Sequence, residues 1–211
     1  RNGIFSAELA KAGWTAPNDV LLSKWGYYRL YTEGCSDPEV LTKDLGKKYY
    51  ADSSLKPYPC CRGTHPGIDC ALELVNKYAI RSEDVEEVTL LVPRKSLEAF
   101  YAQPFVLGDF PQANALFSCR YAVANALVRG SVKPEHFLEE SIADPRVGEL
   151  ANRIKLAELP GAQTPGAELK VRLKDGRELS AFTVAPRGDG RSNPMSKEEI
   201  ESKFRHNVSF S

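Results

Sequence analysis

The sequence carries no excess of charge of either sign: Lys and Arg together number 28, and Asp and Glu 28, among 211 residues. That balance excludes bulk electrostatic binding to nucleic acid or to an anionic lipid surface. Any anion the protein binds is therefore expected to be small and held locally. Long apolar runs are missing as well. None approaches the roughly 20 residues of a transmembrane helix, and no stretch reads as a signal peptide. There is no Cys-x-x-Cys pair, which removes the common spacing of zinc and iron–sulfur sites. The five cysteines are odd in number. Two of them, Cys60 and Cys61, are neighbours whose Cα atoms lie about 3.8 Å apart, below the usual disulfide span. A reduced, cytoplasmic protein is the simpler expectation. Methionine occurs once, at Met195, and the chain opens at Arg1 with a helical segment under way by Ile4. The expectation is a fragment or a processed chain. No internal repeat or low-complexity tract stands out.

What is present gathers around Lys56-Pro-Tyr-Pro-Cys-Cys-Arg-Gly-Thr-His65. Three potential cations, Lys56, Arg62 and His65, fall within ten residues, and two prolines restrict the backbone that carries them. Directly after it, Ile68, Ala71, Leu72, Val75 and Ala79 follow the i, i+3, i+4, i+7, i+11 pattern of one helix face. Pro66 suits the first turn, Thr64 or His65 the N-cap, and Asp69 the positive end of the dipole. A stiff cationic loop ending at a helix N-terminus outlines an anion site. The plainer reading is that Lys56 and Arg62 are solvated loop charges and His65 merely a cap.

At 42% hydrophobic, the chain can build one large domain, or one domain and part of another. Residues 4–12, 18–32 and 38–49 read as helical pieces too few to close a bundle alone. Residues 85–92 read as a strand ended by Pro93. Residues 112–129 read as one long helix closed by Gly130. Arg120 falls within its apolar arc, where a guanidinium must snorkel, pair with a carboxylate or meet a bound anion. Tyr121 lies on the same side, as core or as a functional hydroxyl. His136 and residues 144–151 fall in short helical stretches, and residues 154–158 in a strand. Residues 168–174 alternate cleanly, Asp175-Gly176 makes a tight turn, and residues 177–184 return as the hairpin partner. Residues 186–194 form a loop, and Ser196-x-x-Glu199 is a capping box opening a final helix through Phe204.

Taken together and in order, the Lys56–His65 segment with Ile68-Asp69, then Phe117-Ser-x-x-Tyr-Ala-Val-Ala124, then Asn193-Pro-Met-Ser and Lys203-Phe204, resemble the MmgE/PrpD family. The opening Gly3-Ile-Phe-Ser-Ala-Glu-Leu-Ala10 fits as well. That family includes 2-methylcitrate dehydratases, cis-aconitate decarboxylase and iminodisuccinate epimerase. The resemblance implies an α+β fold: a small sheet-and-helix lid flanked by helical segments of a larger all-helical domain, with the active site between the two. Residues 1–48 would close the helical domain, 49–188 form the lid and 189–211 return to the helical domain. The first half of that domain would be missing.

The resemblance also implies function. Lys56 matches a cleft lysine and Tyr121 a lid tyrosine, giving two catalytic candidates. Cys61 stands where a related decarboxylase has an active-site histidine. Cys61, Arg62, His65 and Arg120 are the substrate-binding candidates. Other acids and bases would come from the helical half. Substrates are small di- or tricarboxylates, and negative charge builds on a carboxylate in the transition state, which Lys56, Arg62, Arg120 and the helix N-terminus could stabilise. The leading expectation is a cofactor-independent hydro-lyase of the 2-methylcitrate dehydratase kind, needing no metal. A decarboxylase, an epimerase or a non-catalytic carboxylate-binding module are the alternatives. A homodimer is expected from the resemblance.

Overall fold

A computed structural model of the chain describes residues 1–48, 54–162 and 165–210. It divides into two compact units, Arg1–Ala51 and Asp52–Ser211. No helix among the described residues is long and apolar enough to cross a membrane.

The first unit holds α1 (Asn2–Lys11), the short α2 (Tyr27–Tyr31) and a 3-10 turn (Pro38–Leu41). Ile4, Phe5, Trp14, Trp25, Leu30 and Leu45 are all exposed in this chain. The helix expected over 18–32 is reduced to its last turn. Asp19 accepts the Leu22 N–H at 2.8 Å, and the chain folds back so that Tyr27 N–H reaches the Val20 carbonyl at 2.8 Å. This Asx-type turn competes with the helix ladder. A Cβ on Gly26 would stand 2.7 Å from the Leu21 carbonyl oxygen, so the turn needs glycine there. The helix expected over 38–49 is likewise only a 3-10 turn followed by turns to residue 47, and Tyr49 lies outside the described residues.

The second unit is α+β. Its sheet runs β2-β1-β3-β4, with β1 (Val85–Val92), β2 (Ile154–Glu158), β3 (Ala167–Leu173) and β4 (Glu178–Thr183). β1 pairs parallel to β2, in the register Leu90 to Leu156, and antiparallel to β3, with Leu90 opposite Leu169. The parallel pair requires a crossover, made by short helices α4 (Arg94–Leu97), α5 (Pro111–Leu116), α6 (Cys119–Arg129), α7 (Glu139–Ile142) and α8 (Pro145–Arg153). Val85, Val88, Leu90 and Val92 alternate into the core. They meet α3 (His65–Tyr78) and α6, which pack on one another and bury Ile68, Ala71, Leu74, Val123 and Leu127. Gly67 makes that close approach possible: a Cβ there would meet Val123 at 2.8 Å and Leu90 at 3.2 Å. The sheet's other face is polar, with Glu87 bridging Lys155 and Arg172 across strands.

One long helix over 112–129 gives way to α5 and α6, broken at Phe117 and Ser118. The Ser118 hydroxyl accepts the Tyr121 N–H at 3.2 Å, and its extended backbone starts a fresh helix. Gly130, at φ 63°, closes α6 as expected. The capping box before α9 (Lys197–Phe210) is reciprocal: Ser196 N–H donates to Glu199 Oε2 at 2.6 Å, and Glu199 N–H to Ser196 Oγ at 3.3 Å. This last helix runs six residues beyond Phe204, where the sequence pattern ends it.

Candidate functional site

The Lys56–His65 loop is built from below by His65. This ring is fully buried, packed edge-on to Tyr58 at 5.1 Å between centroids. Its Nδ1 lies 3.4 Å from Arg62 Nη1 and its Nε2 lies 3.4 Å from the Cys60 carbonyl. Arginine can only donate and a carbonyl can only accept, so Nδ1 is the acceptor and Nε2 carries the proton. Burial accordingly holds His65 down to about 4, and the ring is neutral at neutral pH. The three potential cations of the sequence thus become two.

Arg62 is also committed. Its Nη1 donates to the Leu55 carbonyl at 3.0 Å and to the Arg187 carbonyl at 2.8 Å, while Nη2 is buried without a protein partner. It works as a strut between residue 55 and the 186–194 loop. Asp69, one turn into α3, makes a second tie: it accepts from the Tyr58 hydroxyl at 2.7 Å and the Arg187 N–H at 2.6 Å. Burial raises its carboxyl above the ordinary value against the pull of those donors, and the same desolvation, with Asp69 beside it, raises Tyr58. Asp69 therefore serves the loop clamp. The first turn of α3 is itself buried, from His65 to Ile68, beneath a 3-10 turn at Arg62–Thr64. Thr64 occupies the N-cap position with no capping bond from its side chain.

Lys56 is the exposed member. Its Nζ donates to the Cys60 carbonyl at 3.2 Å, the same oxygen that His65 holds from inside. It forms no ion pair among the described residues, so two of its three N–H donors are open. Cys61 is half-buried, with its N–H on the Leu116 carbonyl at 2.9 Å. Its neighbours Cys60 and Cys119 are buried thiols pushed up to about 11, and Cys70 to about 12, so all three stay protonated.

Arg120 and Tyr121, adjacent on α6, point to different places. Arg120 pairs with no carboxylate among the described residues. It donates to the carbonyls of Ile154 at 3.2 Å, Gln103 at 3.1 Å and Ala102. Tyr121 is fully buried against Phe105 and Phe137, and its hydroxyl donates to the His136 carbonyl at 2.6 Å. The turn that Arg120 grips follows directly on Tyr101, a residue the sequence reading passed over. Tyr101 packs against the loop: a Cβ on Gly63 would fall 2.4 Å from its ring and 2.9 Å from its hydroxyl oxygen. Its half-buried side chain makes no hydrogen bond among the described residues. A glycine two residues past the Cys60-Cys61 pair was the available signal, since it leaves room for a ring.

The structure thus gathers Lys56, Cys61, Arg62, His65 and Tyr101 on one loop and its neighbour, with Arg120 behind Tyr101 and Tyr121 turned into the core. No cluster of three or more His, Cys, Asp or Glu among the described residues could hold a metal ion. A groove of about 540 Å³ opens between residues 57–59, residues 132–134 and α9. Lys56 lies outside it, on an open face.

Residues 58–211 match the profile of the MmgE/PrpD C-terminal domain, which takes in the loop from Tyr58, α3, the sheet and α9. The chain belongs to the MmgE/PrpD family. Among curated relatives of this family member are cis-aconitate decarboxylases of Homo sapiens, 27% identical over 221 residues, and Mus musculus, 27% identical over 220 residues. Each alignment covers 99% of the chain and 44% of the relative, so the chain spans less than half the length of the curated relatives it matches.

Proposed function

We propose that this chain forms the lid side of the active site of a cofactor-independent lyase that acts on a small di- or tricarboxylate. The observation that carries it is an exposed Lys56 ammonium with open donors, on a loop that the His65 ring and Arg62 Nη1 hold in place. A fixed cation beside a carboxylate stabilises the charge that builds when a neighbouring proton or carboxyl group leaves. Tyr101, with a free hydroxyl against the same loop, would supply the proton that assists a departing hydroxide or quenches the carbanion. Tyr121 would then brace the site from the core, and Arg62, His65 and Arg120 would support it rather than touch substrate. Cys61 would contact substrate beside Lys56. The proton-abstracting base would come from outside this chain, from the upstream helical half that the family resemblance implies; the chain covers 44% of the curated relative.

Loss of hydroxide from a 2-methylcitrate-like tricarboxylate is the first reading. Decarboxylation of cis-aconitate is the second, favoured by the activity for which both curated relatives are named. The test is turnover of 2-methylcitrate, cis-aconitate and iminodisuccinate by the protein carrying its upstream half, with the 211-residue chain in parallel. Lys56→Ala should cost on the order of 10²- to 10³-fold in kcat on whichever substrate is turned over. Unchanged turnover by that variant, or silence on all three substrates, would remove the proposal.

A further inference from the structure

The Asn193-Pro-Met-Ser segment and the residues before it are distant in sequence from Lys56, yet they hold its loop. We propose that Arg187 is a positioning residue that couples the seating of α9 to the placement of Lys56. The inference rests on the role proposed above for that lysine.

Arg187 joins four elements. Its Nε donates to Glu199 Oε1 at 2.9 Å and its Nη2 to Glu199 Oε2, a bidentate grip on the first turn of α9. Its Nη1 donates to Asn193 Oδ1 at 2.8 Å. Its backbone N–H is the donor to Asp69 on α3, and its carbonyl is the acceptor for Arg62 at 2.8 Å. The next residue completes the link. Gly188 accepts the Leu55 N–H at 2.8 Å and sits at φ 82°, and a Cβ there would fall 2.1 Å from the Leu55 carbonyl oxygen. Leu55 immediately precedes Lys56, so both backbone polar groups beside the lysine are fixed by the 187–188 pair or by the arginine it holds.

The coupling has a direction. Glu199 closes the capping box with Ser196 while receiving Arg187, so the turn that starts α9 and the grip on Arg187 form together. Asn193 holds the loop's own shape, its N–H on the Asp189 carbonyl and its Nδ2 on the Ala185 carbonyl, both at 3.1 Å. When α9 is seated, the 186–194 loop is fixed at both ends, and Leu55, Arg62 and Asp69 are fixed with it. When α9 loosens, Arg187 loses its side-chain anchor and the Lys56 loop loses the far side of its clamp.

Two readouts separate coupling from general support. The first is the rate at which a maleimide labels Cys61 in the full-length protein, read peptide by peptide by mass spectrometry. Cys70 and Cys119 are buried and serve as internal controls. Arg187→Ala should raise the Cys61 rate on the order of tenfold with Cys70 and Cys119 unchanged, and Glu199→Gln, which keeps a capping acceptor, about threefold. The second is kinetics: Arg187→Ala should lower kcat about tenfold with KM and the pH profile unmoved, and Arg187→Lys should recover part of it. An unchanged Cys61 rate in both variants overturns the proposal. So does a rise shared by all three thiols, which would mean that Arg187 only stabilises the fold. If Cys61 responds as expected but the unmutated protein turns over none of the three substrates, the coupling stands and the lyase reading fails.

Discussion

Gly63→Ala is the sharpest single perturbation of the site. The added methyl would stand 2.4 Å from the Tyr101 ring, well inside contact distance, so one of the two must move. The atoms it meets are Cε1, Cζ and Oη, the far end of a half-exposed side chain, and a rotation of that side chain relieves the clash. The expected loss of stability is therefore small, below about 1 kcal/mol. Gly67→Ala provides the contrast: its methyl would meet Val123 and Leu90 inside the core, where overpacking costs about 1–3 kcal/mol. The order reverses in turnover. Displacing the Tyr101 hydroxyl by about 1 Å should cost roughly 10²-fold in kcat. Urea melts of both variants give the stabilities, and steady-state rates on the substrate the full-length protein uses give the activities. Tyr101→Phe closes the cycle, because once the hydroxyl is gone, Gly63→Ala has little left to remove and the two losses should fail to add. Full activity in Gly63→Ala, or additive losses in the double variant, would refute the assignment of Tyr101.

Two further outcomes follow from buried groups. His65 is held neutral, its folded value about 4 against about 6.5 unfolded, so its contribution is fully present above pH 6.5 and is lost as pH falls toward 4. At pH 4.5 the wild type should have lost roughly 2–3 kcal/mol through this group, and urea melts at pH 7 and 4.5 should show His65→Asn losing less between the two. Arg120→Met would leave the carbonyls of Ala102, Gln103 and Ile154 without their donor and should destabilise by about 1–3 kcal/mol, with turnover falling further because Tyr101 precedes that turn. An Arg120→Met protein with wild-type melting would show that water replaces the guanidinium.

The parts of this fold that were legible in the sequence are those decided locally. The alternation of residues 168–174, the Asp175-Gly176 turn and the Ser196-x-x-Glu199 box each carry their cause within a few residues, and each is found where the pattern puts it. The apolar arc over 112–129 was real, but Ser118 overrode it with one side-chain bond that no periodicity registers. Residues 18–32 misled for another reason. Their Trp, Tyr and Leu side chains suggest a buried face, and in this chain all but the half-buried Tyr28 are exposed. The site divided the same way. The cationic loop announced itself, but the sorting of its members into a buried neutral histidine, a strut and an exposed lysine depends on Arg187 and Gly188, more than 120 residues further on. Tyr101 was hidden because its place is set by an absent side chain at Gly63.

That same separation along the chain has a consequence for how the protein is made. Arg62 closes on the Arg187 carbonyl across 125 residues, and β1 finds its partners only in strands that begin at Ile154 and Ala167. Contacts of such length are slow to form, since loop closure must precede any gain from them. During synthesis the Lys56 loop therefore emerges before its partners and waits, with α3 and β1 unpaired, until the hairpin and the 186–194 loop have left the ribosome. A chain halted at residue 180 contains every residue of the loop and nothing of the Arg187–Gly188 pair that holds it.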